Sequence, residues 1–438
     1  MNTDLLIIGA GPAGLAAAYA AHKSGMQIDI IDDNFQSGGQ IWRGGAQQQR
    51  DQRAQMMWQA LSQAENVRFH FQSKLILFER DGDTLIATVE HKQQAESSRI
   101  YSTRLIIATG ARELLLPFPG WTLAGVTGAG GMQALAKNAY PVKGKKIIVA
   151  GTGPLLLAVA ASLIERGAKV THILEQATLS ALSHFAFGLL RTPSKIQQAV
   201  VLGWRLKNSR YLSNSFVVAA KGQSKVVTVR ASINGEIQDL ECDFLACGYG
   251  LMPNLEVAAA LGCAFENSDD MPRVIVDHWQ RSNLENVYCA GETTGIGGVD
   301  LALAEGYIAG YAASNQQELA QNAIQQREIW RAFAVRLKNS FALRSELRHL
   351  CESDTIVCRC EDVRYAQLQI HTDWRSAKLH TRCGMGACQG RICGNANRFL
   401  FSWEKDLGRL PLQSCAISHL LEATAPPETS DKKASKES

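Results

Sequence analysis

The sequence predicts an α/β chain in which two Rossmann-like βαβ units, the second inserted in the first, are followed by a small helical module. Three observations predict it: a glycine turn between a strand and a helix ending near Asp32, the same grammar repeated from Lys145 to Glu175, and five cysteines gathered between Cys358 and Cys393. At 438 residues the chain exceeds one ordinary core and implies two or three domains.

In the first unit the apolar run Leu5-Leu-Ile-Ile8 leads into Gly9-Ala-Gly-Pro-Ala-Gly14. An alanine-rich helix to Lys23, a stop at Gly25 and a second strand from Gln27 to Ile31 follow. Gly9, Gly11 and Gly14 fit G-x-G-x-x-G: the first allows the tight turn, the second a close approach by pyrophosphate, the third close helix-strand packing. Pro12 and Ala13 complete the turn. Phosphates then meet the helix's N-terminal amides. Asp32, at the end of the second strand, is placed to accept hydrogen bonds from a ribose, with Asp33 the neighbouring alternative.

The second unit runs Ile147-Ile-Val-Ala150, Gly151-Thr-Gly-Pro154, a Leu/Ala helix, Gly167 and Val170 to Leu174. Gly151 and Gly153 match the pattern, but Leu156 fills the third glycine position, which weakens the case for a bound pyrophosphate. Glu175 suits a ribose and no arginine cluster follows it, so NAD is expected over NADP if this site is used. An occupied site and a vestigial one both stand at this point.

Short β-type segments at Val67–Phe71, Thr84–Glu90, Arg104–Ala108, Val226–Ile233 and Arg273–Val276 imply that the first domain is interrupted and resumes. The expected domains are 1–118 with 265–314, the insert 119–264, a helical connector 315–350, a cysteine-bearing module 351–423 and a polar, disordered tail 424–438.

A formal net charge of +4, from 45 basic and 41 acidic residues, offers no basic stripe for nucleic acid. No apolar stretch reaches the roughly 20 residues of a membrane span, and with the first apolar run starting at Leu5 and passing straight into a glycine turn, no cleavable leader is expected. A cytoplasmic protein is expected, with any membrane association made through partners. Clustered cysteines in a reducing compartment argue for metal. Cys242, Cys247, Cys263, Cys289, Cys351 and Cys415 are expected to sit singly as buried structural thiols.

Cys358-Arg-Cys360 and Cys388-Gln-Gly-Arg-Ile-Cys393 form two close pairs around an expected helical stretch, Asp362 to Leu379. Four thiolates suit zinc or an iron–sulfur cluster, and Cys-x-Cys is tighter than zinc usually takes, which favours [2Fe–2S]. No Cys-x-x-Cys pair lies in either glycine-turn unit, and Cys242 and Cys247 flank a segment that reads as a buried strand. Thiol-disulfide chemistry is therefore not expected. No nucleophile and base pair stands out, so no catalytic residue is assigned.

Several further segments carry a family resemblance. Gly38-Gly39-Gln40-Ile-Trp-Arg43 is a second place where backbone can approach phosphate. Thr109-Gly110 follows a strand, and Val287-Tyr-Cys-Ala-Gly291-Glu292 ends a strand in glycine and an acid. In this order they resemble the flavoproteins related to glutathione and thioredoxin reductases, whose late strand ends in Gly-Asp and grips the flavin's ribityl chain. Glu292 stands here in place of that Asp. The resemblance implies FAD at the first domain and an NAD-type second domain.

The run Thr381-Arg-Cys-Gly-Met-Gly-Ala-Cys-Gln-Gly-Arg-Ile-Cys393 resembles the bacterioferritin-associated-ferredoxin-like [2Fe–2S] module. That module is fused to flavoprotein subunits of opine oxidases, hydrogen cyanide synthase and hydroxyproline or proline dehydrogenases. Pro117-Phe-Pro-Gly-Trp121 and Gly151-Thr-Gly-Pro-Leu-Leu-Leu157 carry the likeness through the chain. It implies ligands Cys358, Cys360, Cys388 and Cys393, with Cys383 a neighbour.

By the same resemblance the chain is expected to be the electron-transferring subunit of a complex oxidising a small amine or amino acid (an opine, D-hydroxyproline, proline or glycine). A D-amino-acid- or sarcosine-oxidase-like flavoprotein subunit would hold the amine. A small ferredoxin-like subunit, an FMN at a subunit interface, and a quinone or other carrier as acceptor belong to the same expectation. Two rivals are an NADH-dependent flavin/iron–sulfur reductase of an electron carrier, and a scaffold whose nucleotide sites are only structural.

Overall fold

The protein is described by a computed structural model covering residues 1–45, 51–92, 96–266, 271–405 and 407–424. The tail expected to be disordered lies, from residue 425 on, outside the described residues.

Strands β1 (Asn2–Ile8), β2 (Ile28–Ile31), β3 (Val67–His70), β4 (Ser73–Asp81), β5 (Thr84–His91) and β6 (Glu96–Ile107) form the first sheet in the order β3-β2-β1-β6-β5-β4. Pairing is parallel among β3, β2, β1 and β6, and antiparallel through the β4–β5–β6 meander. Near-continuous apolar runs such as Leu5–Ile8 make β1 a central strand buried on both faces.

β7 (Ala111–Glu113) then carries the chain across to a second sheet. That sheet comprises β8 (Val126–Gly128), β9 (Lys146–Gly151), β10 (Lys169–Glu175), β11 (Arg210–Leu212) and β15 (Phe244–Gly248), all parallel, in the order β11-β10-β9-β15-β8. An antiparallel sheet of β12 (Ser215–Lys221), β13 (Thr228–Ile233) and β14 (Glu236–Glu241) is inserted before β15. β16 (Leu251–Pro253) returns antiparallel to β7, so outward and return crossings pair. After the short pair β17 (Phe265–Glu266) and β18 (Arg273–Val274), β19 (Val287–Cys289) rejoins the first sheet beside β6, with Val287 opposite Leu105.

Two helices set the first glycine turn. Helix α1 (Pro12–Ala21) packs along α2 (Gly298–Ala313), and small residues set the distance. A Cβ on Gly306 would stand 2.2 Å from the carbonyl oxygen of Ala13, and a Cβ on Gly14 1.8 Å from that of Gly9. Neither position holds a side chain, and backbone approaches backbone directly.

Helix α3 (Gln321–Ser340) runs through the expected connector and ends beside the second sheet. The cysteine-bearing segment contains the hairpin β20 (Ile356–Cys358) and β21 (Val363–Arg364), then helices Tyr365–Gln369, Trp374–Thr381 and Cys393–Phe401. The helical stretch expected over Asp362–Leu379 is thus broken. Asp373 is the cause: its carboxylate accepts from Ser376 N at 2.8 Å and starts a new helix.

A second expectation is also corrected. Cys263 and Cys289 do not sit singly but share a side-chain hydrogen bond. Asn283 accepts from Ala264 N at 2.6 Å and donates to Gly262 O at 3.2 Å, tying the Cys263 loop down beside β19. Cys351 and Cys415 are half-buried rather than fully enclosed. Among the described residues, no helix is long and apolar enough to cross a membrane.

Candidate functional site

Gly9 closes β1 with φ +105° and donates its N–H to Ile31 O at 2.8 Å, which brings the ends of β1 and β2 together. Helix α1 then starts at Pro12, and no side chain caps it. Its first amides are left for an anion. Gly38-Gly39 folds back over this turn: Gly38 N donates to Ala10 O at 2.7 Å, and a Cβ on Gly39 would lie 3.0 Å from Gly11 Cα. Gln40 and Arg43 bond to each other at the rim of this loop.

Asp32 is buried at the tip of β2, and its Oδ2 accepts from Ala10 N at 2.6 Å while Oδ1 accepts from Asn34 N at 2.8 Å. Burial pushes its carboxyl above the usual aspartate range. Asp33 is exposed and turned out. Glu292 is buried, with Gly297 N and Gly298 N each donating to it at 3.0 Å, so it caps the start of α2. Its carboxyl is pushed up to about 7 by burial. Gly291 N donates at 3.1 Å to Glu305, an acid fully enclosed in α2 that also accepts from Thr294 at 2.6 Å. Glu305 had a signal in the sequence, a single acid inside the apolar run Leu301 to Gly310.

The crossings are tied by Thr109. Its hydroxyl donates to Asn254 O and its carbonyl accepts from Asn254 Nδ2, both at 2.7 Å; Asn254 N donates to Gly110 O at 2.9 Å. Nearby, Glu113 on β7 accepts from Gly130 N at 2.6 Å and Gly131 N at 3.0 Å, capping the helix Ala129–Lys137. Nothing in the spacing of the sequence marks Glu113 for that place.

The second glycine turn is arranged differently. Glu175 accepts from Gly153 N at 2.7 Å and Ala177 N at 2.9 Å, and burial pushes its carboxyl up to about 7. The chain just after α3 lies on the same turn. Thr152 donates to Phe341 O at 3.2 Å, Gln176 donates to Ala342 O at 2.9 Å and accepts from Arg344 N at 3.0 Å. A Cβ on Gly153 would meet the Phe341 ring at 3.9 Å. Leu156 is buried beneath.

All five clustered thiols meet. The Sγ atoms of Cys358, Cys383 and Cys393 lie within 4.8 Å of one another, and all three residues are buried. Cys388 bonds to both Cys393 and Cys360, and Cys360 is exposed. Contacts with Cys383 and Cys393 draw the Cys358 thiol down and contact with Cys393 draws Cys388 down, while the same contacts push Cys383 and Cys393 up, so the group shares its protons unevenly. Thiolate is the form a metal binds. Cys383, expected to be a neighbour of the ligands, stands inside the sulfur group.

This nest is anchored to the chain that passes between the two sheets. Trp121 Nε1 donates to Ile356 O, Arg359 stacks over the Trp121 ring, and Cys351 Sγ donates to Pro117 O at 3.3 Å. Glu256 faces Arg112 at 2.5 Å, Lys405 at 3.8 Å and Arg391 at 4.0 Å. Burial works to raise the Glu256 carboxyl, but Arg112 and Lys405 hold it below its usual range.

The donor sets fit the expected groups: uncapped amides with two backbone approaches and acceptors Asp32 and Glu292 suit a flavin dinucleotide, and a buried cluster of converging thiols suits a metal.

Residues 3–326 match the family described as pyridine nucleotide-disulphide oxidoreductase, and the chain belongs to that family of flavin-linked oxidoreductases. Within it, the chain is 31% identical over 432 residues to an opine oxidase subunit of Rhizobium meliloti (strain 1021), covering 89% of this chain and 90% of that one. It is 29% identical over 428 residues to hydrogen cyanide synthase subunit HcnB of Pseudomonas protegens, covering 90% of each. Among solved structures, L-proline dehydrogenase from P. horikoshii superposes with a TM-score of 0.69 at 18% identity, covering 96% of this chain and 79% of that one.

Proposed function

We propose that this chain is the electron-transferring flavoprotein subunit of a heteromeric enzyme that oxidises a small amine or amino acid. The observation that carries the reading is the nest of five thiols anchored on the crossings between the two sheets, in a chain related along nearly its whole length to subunits of amine-oxidising complexes. A flavin converts a two-electron oxidation into single electrons that an iron–sulfur cluster can carry.

In this reading the α1 amides and the Gly38-Gly39 loop hold the FAD pyrophosphate, Asp32 its ribose and Glu292 its ribityl side. Cys358, Cys360, Cys388 and Cys393 hold a [2Fe–2S] cluster. The chain's own part is to bind, orient and insulate. The amine-binding subunit is the partner, and a small ferredoxin-like subunit, an interfacial FMN and a quinone or carrier acceptor complete the assembly. Helices Leu179–Gly188 and Pro193–Arg205 support a partner, because Phe187, Val200 and Trp204 are 76%, 67% and 73% exposed.

The Phe341–Arg344 cover on the second glycine turn, with Glu175 already on the Gly153 amide, supports electrons arriving from that partner rather than from NADH. The test is anaerobic co-purification from the native source, with identification of the cofactors and accompanying chain, and rapid mixing of the single chain with NADH. An amine-dehydrogenase partner and an unbleached flavin are expected. Rapid bleaching by NADH, or normal amine turnover by the single chain, would overturn the reading.

A further inference from the structure

Five thiols converge where four would complete a cluster. The four proposed ligands are Cys358, Cys360, Cys388 and Cys393, yet the tightest sulfur group is Cys358, Cys383 and Cys393, mutually within 4.8 Å. Tetrahedral bonds of about 2.3 Å to one metal put its sulfurs roughly 4 Å apart. Cys383 therefore lies within the same 4.8 Å limit of Cys358 as the proposed ligand Cys393 does. Cys360 is exposed at the edge of the module, whereas Cys383 is 0% exposed.

Cys383 is also held in place. Arg382 turns the chain with φ +65°, Cys383 N donates to Thr381 Oγ1 at 3.2 Å, and Asn397 Nδ2 donates to Cys383 Sγ at 3.4 Å. Asn397 is itself wholly buried, on the helix that begins with Cys393, and its Oδ1 has no hydrogen-bond partner among the described residues. A sulfur that receives an N–H is held as an acceptor. Metal-bound thiolates are commonly supported in this way.

We propose that Cys383 is an alternative ligand of the iron–sulfur site, able to complete the ligand set when the exposed Cys360 is released. Cys393 makes this possible, because it contacts both Cys358 and Cys388. With Cys360 released, Cys358, Cys383, Cys388 and Cys393 would be the four thiolates that hold the cluster. One Fe–S bond forms to Cys383 as one to Cys360 breaks. The Cys383 proton leaves to solvent, the freed Cys360 thiolate takes one up, and no electron is transferred. The inference rests on the module holding an iron–sulfur cluster.

The experiment uses the full chain, reconstituted anaerobically with ferrous iron and sulfide. Iron and sulfide per chain, visible circular dichroism and the EPR spectrum after dithionite are measured for wild type, Cys360→Ala, Cys383→Ala and the double variant. Cys360→Ala is expected to keep its iron and sulfide with shifted spectra, and the double variant to lose most of both. Thermal unfolding and flavin content show that each variant folds, and Cys383→Ser, which keeps a polar partner for Asn397, stands in if Cys383→Ala does not. If Cys360→Ala alone loses the cluster as completely as the double variant, the proposal is overturned. Failure of wild type to take up iron and sulfide overturns instead the cluster reading beneath it.

Discussion

The indole N–H of Trp121 donates to the carbonyl oxygen of Ile356 at 2.5 Å, two residues before the first clustered cysteine. Trp121 lies in the turn that leads to β8 of the second sheet and Ile356 opens β20, so this bond ties the approach to that sheet to the hairpin that carries Cys358. Trp121→Ala should cost about 3–5 kcal/mol through lost burial, and Trp121→Phe only about 1 kcal/mol, the worth of the N–H bond. Urea unfolding of the two variants checks the ranking; equal losses would show that the ring's packing contributes nothing.

Glu256 is the one carboxylate that faces Arg112, Arg391 and Lys405 together among the described residues. Glu256→Gln leaves three cations facing one another and should destabilise by about 3–5 kcal/mol. Salt screens that repulsion. The gap between variant and wild type in urea midpoint should therefore narrow as sodium chloride is raised, and a salt-independent gap would contradict the electrostatic account.

Gly306 lets α2 lie on α1 at backbone distance. Gly306→Val would have to push α2 off Ala13 and should cost at least 1–3 kcal/mol, roughly that of an overpacked core. Because α1 begins at the first glycine turn, flavin retained through gel filtration should fall as well. Full retention with an unchanged melting temperature would count against the packing described.

Glu175 gives a pH signature. Its folded carboxyl is raised to about 7 from an ordinary 4.5, so the folded state holds the proton more tightly than the unfolded one. That contribution is complete below pH 4.5 and is lost as pH rises through 7. Wild type should lose up to about 3 kcal/mol across that window that Glu175→Gln does not lose. Denaturant unfolding of both proteins at pH 5 and pH 8 measures the difference, and parallel profiles would refute it.

The glycine turns were legible because few residue types permit those conformations, and the strand-turn-helix order around Gly9 and Gly151 left little freedom. The β4 strand was harder to see. Ser73–Asp81 mixes buried and exposed positions without clean alternation, and its pairing shifts register between Leu75 and Leu77. The break at Asp373 escaped because one capping side chain outweighed the helical pattern on either side. Glu113 and Glu256 carry no local signature, since their partners come from distant segments. For Cys383 the sequence showed the thiol, and only the fold shows which sulfurs it meets.

β19 pairs with β6 only after the chain has passed through the whole second sheet. As the chain leaves a ribosome, the edge of β6 at Leu105–Ile107 and the face of α1 against which α2 will pack must wait uncovered until the residues near Val287 and Gly306 emerge. The inserted sheet has all its strands by Gly248 and can form in the interval. Order of synthesis and order of completion are thus reversed: the sheet that begins first along the chain is the later of the two to gain its last strand.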